Sequence, residues 1–189
     1  MKRILVHGGG TGGTLAANRL RREFPADEVE VLVVDRDDRH IYQPGLLFVP
    51  FGLARADRLV RPRSAQLAAG ITFRRAEVDR VDIESDSVVL GDGSTIAFDV
   101  LVVASGAVLR PEETEGLPEA LRTNKVHTFY DLPGASALSS ALVAFDGGRL
   151  AINVVDMPIK CPVAPIEFAF LADWFFTERR LRHKVDIVF

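Results

Sequence analysis

Cysteine is almost missing from this chain: Cys161 is the only one among 189 residues. No internal disulfide is available, so its thiol is structural, reactive, or paired with another chain or with a segment outside this sequence. An excess of one charge is missing too. Lys and Arg total 23 against 26 for Asp and Glu, a net charge of −3, which gives no field to gather nucleic acid or an anionic lipid surface. No apolar run approaches the roughly 18–20 residues of a spanning helix, so this portion is not expected inside a bilayer. No secretory leader is expected at this start either, because Met1-Lys2-Arg3 runs straight into Ile4-Leu5-Val6 and then glycines, too short for a signal core and without a cleavage site. That start predicts a cytoplasmic protein, with peripheral attachment to the inner face of the plasma membrane left open. No metal site is predicted.

What is present suffices for a core: 48% of the residues are hydrophobic, and the length allows one full domain and part of another. Residues 3–7 read as a buried strand, 8–13 as a tight turn, and Leu15 to Phe24 as a helix with Leu15, Leu20 and Phe24 at helical spacing. Glu28 to Asp35 is a second strand, completing a βαβ unit. From Ile71 to Phe98 short alternating segments broken at Ser85-Asp86 and Gly91-Asp92-Gly93 predict a small antiparallel meander. Val100 to Ala104 suits a strand at the centre of a parallel sheet.

Pro111 and the charged Glu112 to Glu115 mark a boundary. The α/β alternation then restarts, with a helix over 133–145, a strand over 148–155, a helix over 165–182 and a strand from 185. The expected class is α/β, a Rossmann-like dinucleotide-binding domain over 1–110 with an inserted meander, followed by a partial second βαβ domain over 111–189. The last strand stops at Phe189 without a closing element, so the chain is expected to be part of a longer protein.

The chemistry begins at Gly8, Gly10 and Gly13, a G-x-G-x-x-G between a strand and a helix. The first glycine permits the turn, the second lets backbone approach a pyrophosphate, and the third lets the helix pack close, so that amides and the helix dipole face the phosphates. Gly9, Thr11 and Gly12 fill the loop between them. Asp35, about 20 residues on, is placed to accept hydrogen bonds from a ribose and to repel a 2′-phosphate. The ligand is then FAD or NAD rather than NADP, although the adjacent Arg36 could argue the other way.

The second βα turn is different. Asp156-Met157-Pro158-Ile159-Lys160-Cys161-Pro162-Val163-Ala164-Pro165 contains no glycine and three prolines, each of which lacks a donor N–H, which argues against NADH at this position. It offers instead a cysteine just before a helix N-terminus and beside Lys160, where dipole and ammonium both favour a nucleophilic sulfur; a buried structural cysteine is the alternative. Glu167 falls on the first turn of that helix, where an acid satisfies the helix start, and flanking Phe168 and Phe170 are expected to shield it and raise its pKa. His127, Tyr130 and Trp174 read as packing residues.

Three segments in order, His7 to Gly13, His40-Ile41-Tyr42-Gln43-Pro44-Gly45-Leu46-Leu47, and Asp99 to Gly106, resemble the sulfide:quinone oxidoreductase family, which shares its fold with type II NADH dehydrogenases and flavocytochrome c sulfide dehydrogenase. The resemblance implies FAD as cofactor, with Ala104, Ser105 and Gly106 closing over it and Tyr42, Gln43 and Pro44 beside the isoalloxazine. It implies that Cys161 is a redox cysteine, Glu167 an acid near the flavin, sulfide or another small sulfur compound the electron donor, and a quinone the acceptor. Quinone and membrane contacts are expected from the part of such an enzyme that lies beyond this chain, and a homo-oligomer is compatible with it. Two departures stand against full transfer: many members carry another cysteine in the region resembling Thr123 to Asp131, where this sequence has none, and Cys161 has no partner cysteine. A type II NADH:quinone dehydrogenase and a non-catalytic nucleotide-binding module are the rival readings.

Overall fold

The computed structural model describes all 189 residues, Met1–Phe189, and the chain divides into two compact units. The first comprises Met1–Ile41 and Val60–Gly106, the second Tyr42–Leu59 and Ala107–Phe189. The division in the chain therefore falls after Gly106, and residues 42–59 belong to the second unit although they lie within the first in sequence.

In chain order the elements are β1 (Lys2–His7), α1 (Thr11–Glu23), β2 (Val29–Asp35), β3 (Arg39–Ile41), β4 (Val60–Pro62), β5 (Ile71–Arg75), β6 (Val78–Asp82), β7 (Ser87–Leu90), β8 (Thr95–Ala97), β9 (Val100–Val103), α2 (Leu117–Ala120), α3 (Leu132–Ala144), β10 (Gly148–Ala151), α4 (Ala164–Glu178) and β11 (Val185–Val188). A nine-residue 3-10 helix, Gln43–Phe51, lies between β3 and β4.

The first unit is built on a four-stranded parallel sheet in the order β5-β2-β1-β9. Val and Leu dominate β1 and β2 because both sheet faces are covered. Ile4, Val6, Val31 and Val33 line one core, and Leu5, Leu32 and Val34 line the other with Val88, Leu90 and Ile96 of the small antiparallel sheet β6-β7-β8. Each such side chain contributes about 1.5–3 kcal/mol of burial. Two expectations need correction. Ile71–Arg75 pairs in parallel with β2 instead of opening the meander, and β9 takes the outer place beside β1, not a central one. The parallel order, with the chain reversing direction across the sheet between β1 and β9, is the first half of a doubly wound nucleotide fold, and its ligand crevice lies at the carboxyl ends of those two strands.

The face of α1 also differs from its apolar periodicity. Leu15 is 66% exposed, and the buried positions are Gly13, Thr14 and Ala17. The reason is distance. A Cβ on Gly13 would lie 1.7 Å from the Gly8 carbonyl oxygen, so α1 packs on β1 through its smallest residues and the larger Leu15 is turned outward.

The second unit pairs β10 with β11 in parallel around α4, with α3 packed beside them. Its core combines Leu138 and Leu142 of α3 with Phe168, Ala172 and Phe176 of α4 and with Leu47 and Phe51 of the 3-10 helix. The apolar Gln43–Phe51 helix is thus a core element, its Phe51 ring 4.9 Å from Phe168. The strand expected over 148–155 ends at Ala151, and the helix expected to reach Arg182 ends at Glu178, where Arg180 turns to a positive φ of 57°. No helix is long and apolar enough to cross a membrane.

Gly13→Ala is expected to destabilise the chain by about 3 kcal/mol or more, since backbone cannot yield as a side chain does. Gly12→Ala, where a Cβ would meet nothing within 4 Å, is expected to stabilise it by about 0.5 kcal/mol through helix propensity. Urea unfolding of both variants checks the contrast.

Candidate functional site

In the first unit the strand β1 delivers Gly8 with φ 100°, a left-handed turn that suits glycine. A Cβ there would also stand 2.3 Å from the Ala104 carbonyl oxygen and 2.8 Å from the Ser105 Cα. Ala104 donates its N–H to the His7 carbonyl at 2.8 Å. The loop Ala104-Ser105-Gly106 therefore lies directly against the glycine turn.

Beyond Gly8 the chain enters α1 at Thr11 with no side-chain cap. The N–H groups of Thr11, Gly12 and Gly13 have no intrahelical acceptors, and they point out of the helix start with its positive dipole end. In front of them is room: a Cβ on Gly10 would meet nothing within 4 Å. Donors, dipole and space are what a pyrophosphate requires. Thr14 locks the turn from behind, its hydroxyl donating to the Gly9 carbonyl at 3.0 Å.

Asp35, at the end of β2, is brought to the same place. Its Oδ2 accepts from the Gly9 N–H at 2.7 Å and from Arg63 at 2.5 Å, whereas Oδ1 meets only the distant Asp37 N–H at 3.5 Å. One carboxylate oxygen thus supports the loop and the other remains free to accept from a ribose hydroxyl. Arg36 is exposed and is not the arginine that meets Asp35. That role belongs to Arg63, which sequence reasoning missed because 28 residues and two short strands separate it from Asp35. Asp37, beside them, is shifted: burial raises its pKa, but the Arg39 backbone N–H and the Arg63 guanidinium outweigh that and hold it below the usual carboxylate value.

The second unit gathers another set. Cys161 is exposed and has φ 56°, a left-handed conformation that costs a non-glycine residue about 1–2 kcal/mol. Its carbonyl accepts from the Ala164 N–H at 3.0 Å and from the Tyr130 hydroxyl at 3.3 Å. Lys160 donates to the Gln43 side chain and holds its ammonium 5.9 Å above the Tyr130 ring. Desolvation pulls the Lys160 pKa down against the opposing influence of Asp131 and Cys161. Burial and the Cys161 charge push the Tyr130 phenol up, so it remains a donor.

Tyr130 is therefore more than the packing residue expected. Its ring stacks on Phe129 at 5.0 Å, and Phe129 stacks on Phe168 at 5.0 Å, a ladder from the core to the cysteine. Pro44 is the second residue of the 3-10 helix that Gln43 opens, and Tyr42 precedes it with an exposed ring. Glu167 does sit in the first turn of α4, but the expected shielding is absent. Glu167 is exposed, and Phe170 is 73% exposed because it falls on the outer face of the helix, opposite Phe168 and Ala172.

The first unit is thus a parallel nucleotide-fold sheet with a glycine turn at its strand-order switch, and the second is built on a βαβ unit. The chain belongs to the pyridine nucleotide-disulphide oxidoreductase family, whose model matches residues 2–154. This is a family of FAD-dependent flavoproteins, and the uncapped helix start, the open space at Gly10 and the free oxygen of Asp35 fit the ADP half of FAD.

The chain is 28% identical over 186 residues to the mitochondrial sulfide:quinone oxidoreductase of Mus musculus, covering 98% of the chain and 41% of that enzyme. It is 30% identical over 106 residues to a type II NADH:quinone oxidoreductase of Staphylococcus saprophyticus, covering 56% of the chain and 26% of that enzyme. The crystal structure of the sulfide:quinone oxidoreductase of Aquifex aeolicus superposes with a TM-score of 0.80 at 22% identity, over 98% of this chain and 42% of that one, a likeness of fold. The chain thus spans about two-fifths of the length of the sulfide:quinone oxidoreductases it matches.

Gly10→Ala should leave the thermal midpoint within about 2 °C, since its Cβ has free space, yet weaken ADP binding at least about tenfold by placing a methyl where the phosphates approach; calorimetric titration and a melting curve on one sample check both halves. At the cysteine, Cys161→Gly should be more stable than Cys161→Ala by about 1 kcal/mol, because only glycine takes φ 56° without strain, as denaturant unfolding of the pair will report.

Proposed function

We propose that this chain is the FAD-binding portion of a sulfide:quinone oxidoreductase-like enzyme, in which Cys161 captures sulfide sulfur, two electrons pass to FAD and a quinone removes them. The single observation that carries the reading is the turn after β10. In a nicotinamide-binding domain that position needs glycines so that backbone can approach a pyrophosphate. Here it carries Cys161 in a left-handed conformation, its carbonyl held by Tyr130 and its neighbour Lys160 held by Gln43.

When bound, FAD supplies the two-electron acceptor chemistry. The residues of this chain do the rest. In capture, a bond would form between the Cys161 sulfur and the sulfide sulfur, leaving a persulfide on the cysteine, with both S–H protons released and the two electrons taken up by bound FAD as the oxidant. Lys160, next to Cys161 in the chain with its ammonium held by Gln43, is proposed to offer positive charge to an incoming hydrosulfide anion. Glu167, exposed on the first turn of α4 three residues after its start, is the acceptor proposed for a released proton. Cys161 lies outside the residues that the family model matches, so this role rests on the local chemistry and on the likeness to sulfide:quinone oxidoreductases. The chain is proposed to work in the cytoplasm, with quinone and any membrane surface met through the remainder of such an enzyme.

The likeness to type II NADH:quinone oxidoreductases supports a second reading, with NADH as the donor. The glycine-free turn speaks against it.

The test is an anaerobic visible spectrum of the FAD-loaded chain. Sulfide is expected to bleach the flavin band and NADH to leave it, and Cys161→Ser should slow the sulfide reaction at least about 100-fold, as loss of a nucleophile does. Bleaching by NADH would transfer the assignment to the dehydrogenase reading, and flavin binding with neither reaction would leave a nucleotide-binding module.

A further inference from the structure

Arg63 is 7% exposed, an arginine buried in the first unit by a segment that the glycine motif does not include. Its guanidinium forks. Nη1 meets Asp35 Oδ2 at 2.5 Å, and Nη2 meets Asp37 Oδ1 at 3.1 Å and the Arg39 carbonyl at 2.7 Å. Its stem lies against Gly9, where an added Cβ would stand 2.3 Å from the Arg63 Cδ. Its own N–H donates to the Asp38 carbonyl at 3.2 Å, and Ser64 donates twice to the Asp38 carboxylate. The segment following β4 is therefore fastened onto the end of β2 and onto the glycine turn at once.

The consequence falls on Asp35. Three acids, Asp35, Asp37 and Asp38, stand within four residues, and the guanidinium is the buried cation that lets the first two lie side by side. By holding Oδ2, together with the Gly9 N–H, it fixes the rotation of the carboxylate and leaves Oδ1 without a close donor. A ribose hydroxyl is a donor of the right kind. We propose that Arg63 is a positioning residue for ribose recognition: it does not touch the dinucleotide but sets the Asp35 carboxylate so that one oxygen reads the adenosine ribose while the other braces the glycine turn. The inference rests on the dinucleotide reading of Gly8 to Gly13 and deepens it.

The guanidinium fork matters and not only its charge, because the Asp35, Asp37 and Arg39 acceptors need two nitrogens in one plane. A lysine would keep the charge and lose part of the geometry.

The experiment is calorimetric titration of the full chain with ADP and with 2′-deoxy-ADP, in the wild type, Arg63→Met, Arg63→Lys and Asp35→Asn, each checked by its melting midpoint. The ratio of the two affinities is the readout. In the wild type ADP should bind at least about fivefold tighter than the deoxy analogue, in line with one charge-assisted hydrogen bond. R63M and D35N should bring the ratio close to one, and R63K should restore part of it. A merely structural arginine would weaken both ligands equally, so an unchanged ratio in R63M overturns the proposal; should R63M not fold, an unchanged ratio in R63K does so. Equal binding of both ligands by the wild type also overturns it while leaving the dinucleotide reading standing, and failure of the wild type to bind ADP at all overturns that reading and the proposal with it.

Discussion

The approach of Gly13 to the Gly8 carbonyl sets the geometry on which the first unit depends. It brings α1 onto β1 at a separation only a missing side chain allows, and three consequences follow. The first-turn amides are aimed at one point, the small Ala17 and Thr14 become the buried face in place of Leu15, and the Gly9 N–H is left facing Asp35. A bulkier contact would tilt the helix and scatter those donors. Hydrophobic burial in β1 and β2 supplies the stability, but the glycine contact decides where the dipole points.

The second unit reaches its geometry by a different route. There the aromatic series Phe51, Phe168, Phe129 and Tyr130 runs from the core to the cysteine turn, with ring spacings in the range where aromatic pairs attract beyond their burial. Stiffness in the core is thereby transmitted to the Tyr130 hydroxyl, and the hydroxyl pins a strained carbonyl. The exposed sulfur is thus mounted on a backbone that is held from two sides, by Tyr130 and by Ala164.

Much of this was legible in the residues. The strand, turn and helix around Gly8 to Gly13 needed only periodicity and the glycine spacing, and Asp35 followed from its distance along the chain. Local signals misled where packing overruled them. Leu15 and Phe24 kept a helical spacing yet face outward, and Ile71–Arg75 alternates like a strand of the meander but forms the edge of the parallel sheet. Arg63 and Tyr130 left no local signal, because their partners are 28 and 31 residues away and nothing in a flanking window distinguishes a bracing arginine from a surface one. Glu167 shows the opposite error: two neighbouring phenylalanines suggested shelter, but on a helix i+1 and i+3 do not share a face with each other.

The excursion of residues 42–59 bears on how this protein is handled as a piece of chain. Its Leu46, Leu47, Val49 and Phe51 are buried, and Leu47 and Phe51 are shared with α3 and α4. A shortened gene product ending at Gly106 would contain every residue of the first unit and, looped out between β3 and β4, an oily segment stripped of its neighbours. Cutting the protein where the linear sequence invites a cut therefore produces a sticky fragment. A clean excision of the nucleotide-binding unit requires replacing residues 42–59 with a short polar hairpin that joins Ile41 to Val60, two positions already paired across β3 and β4.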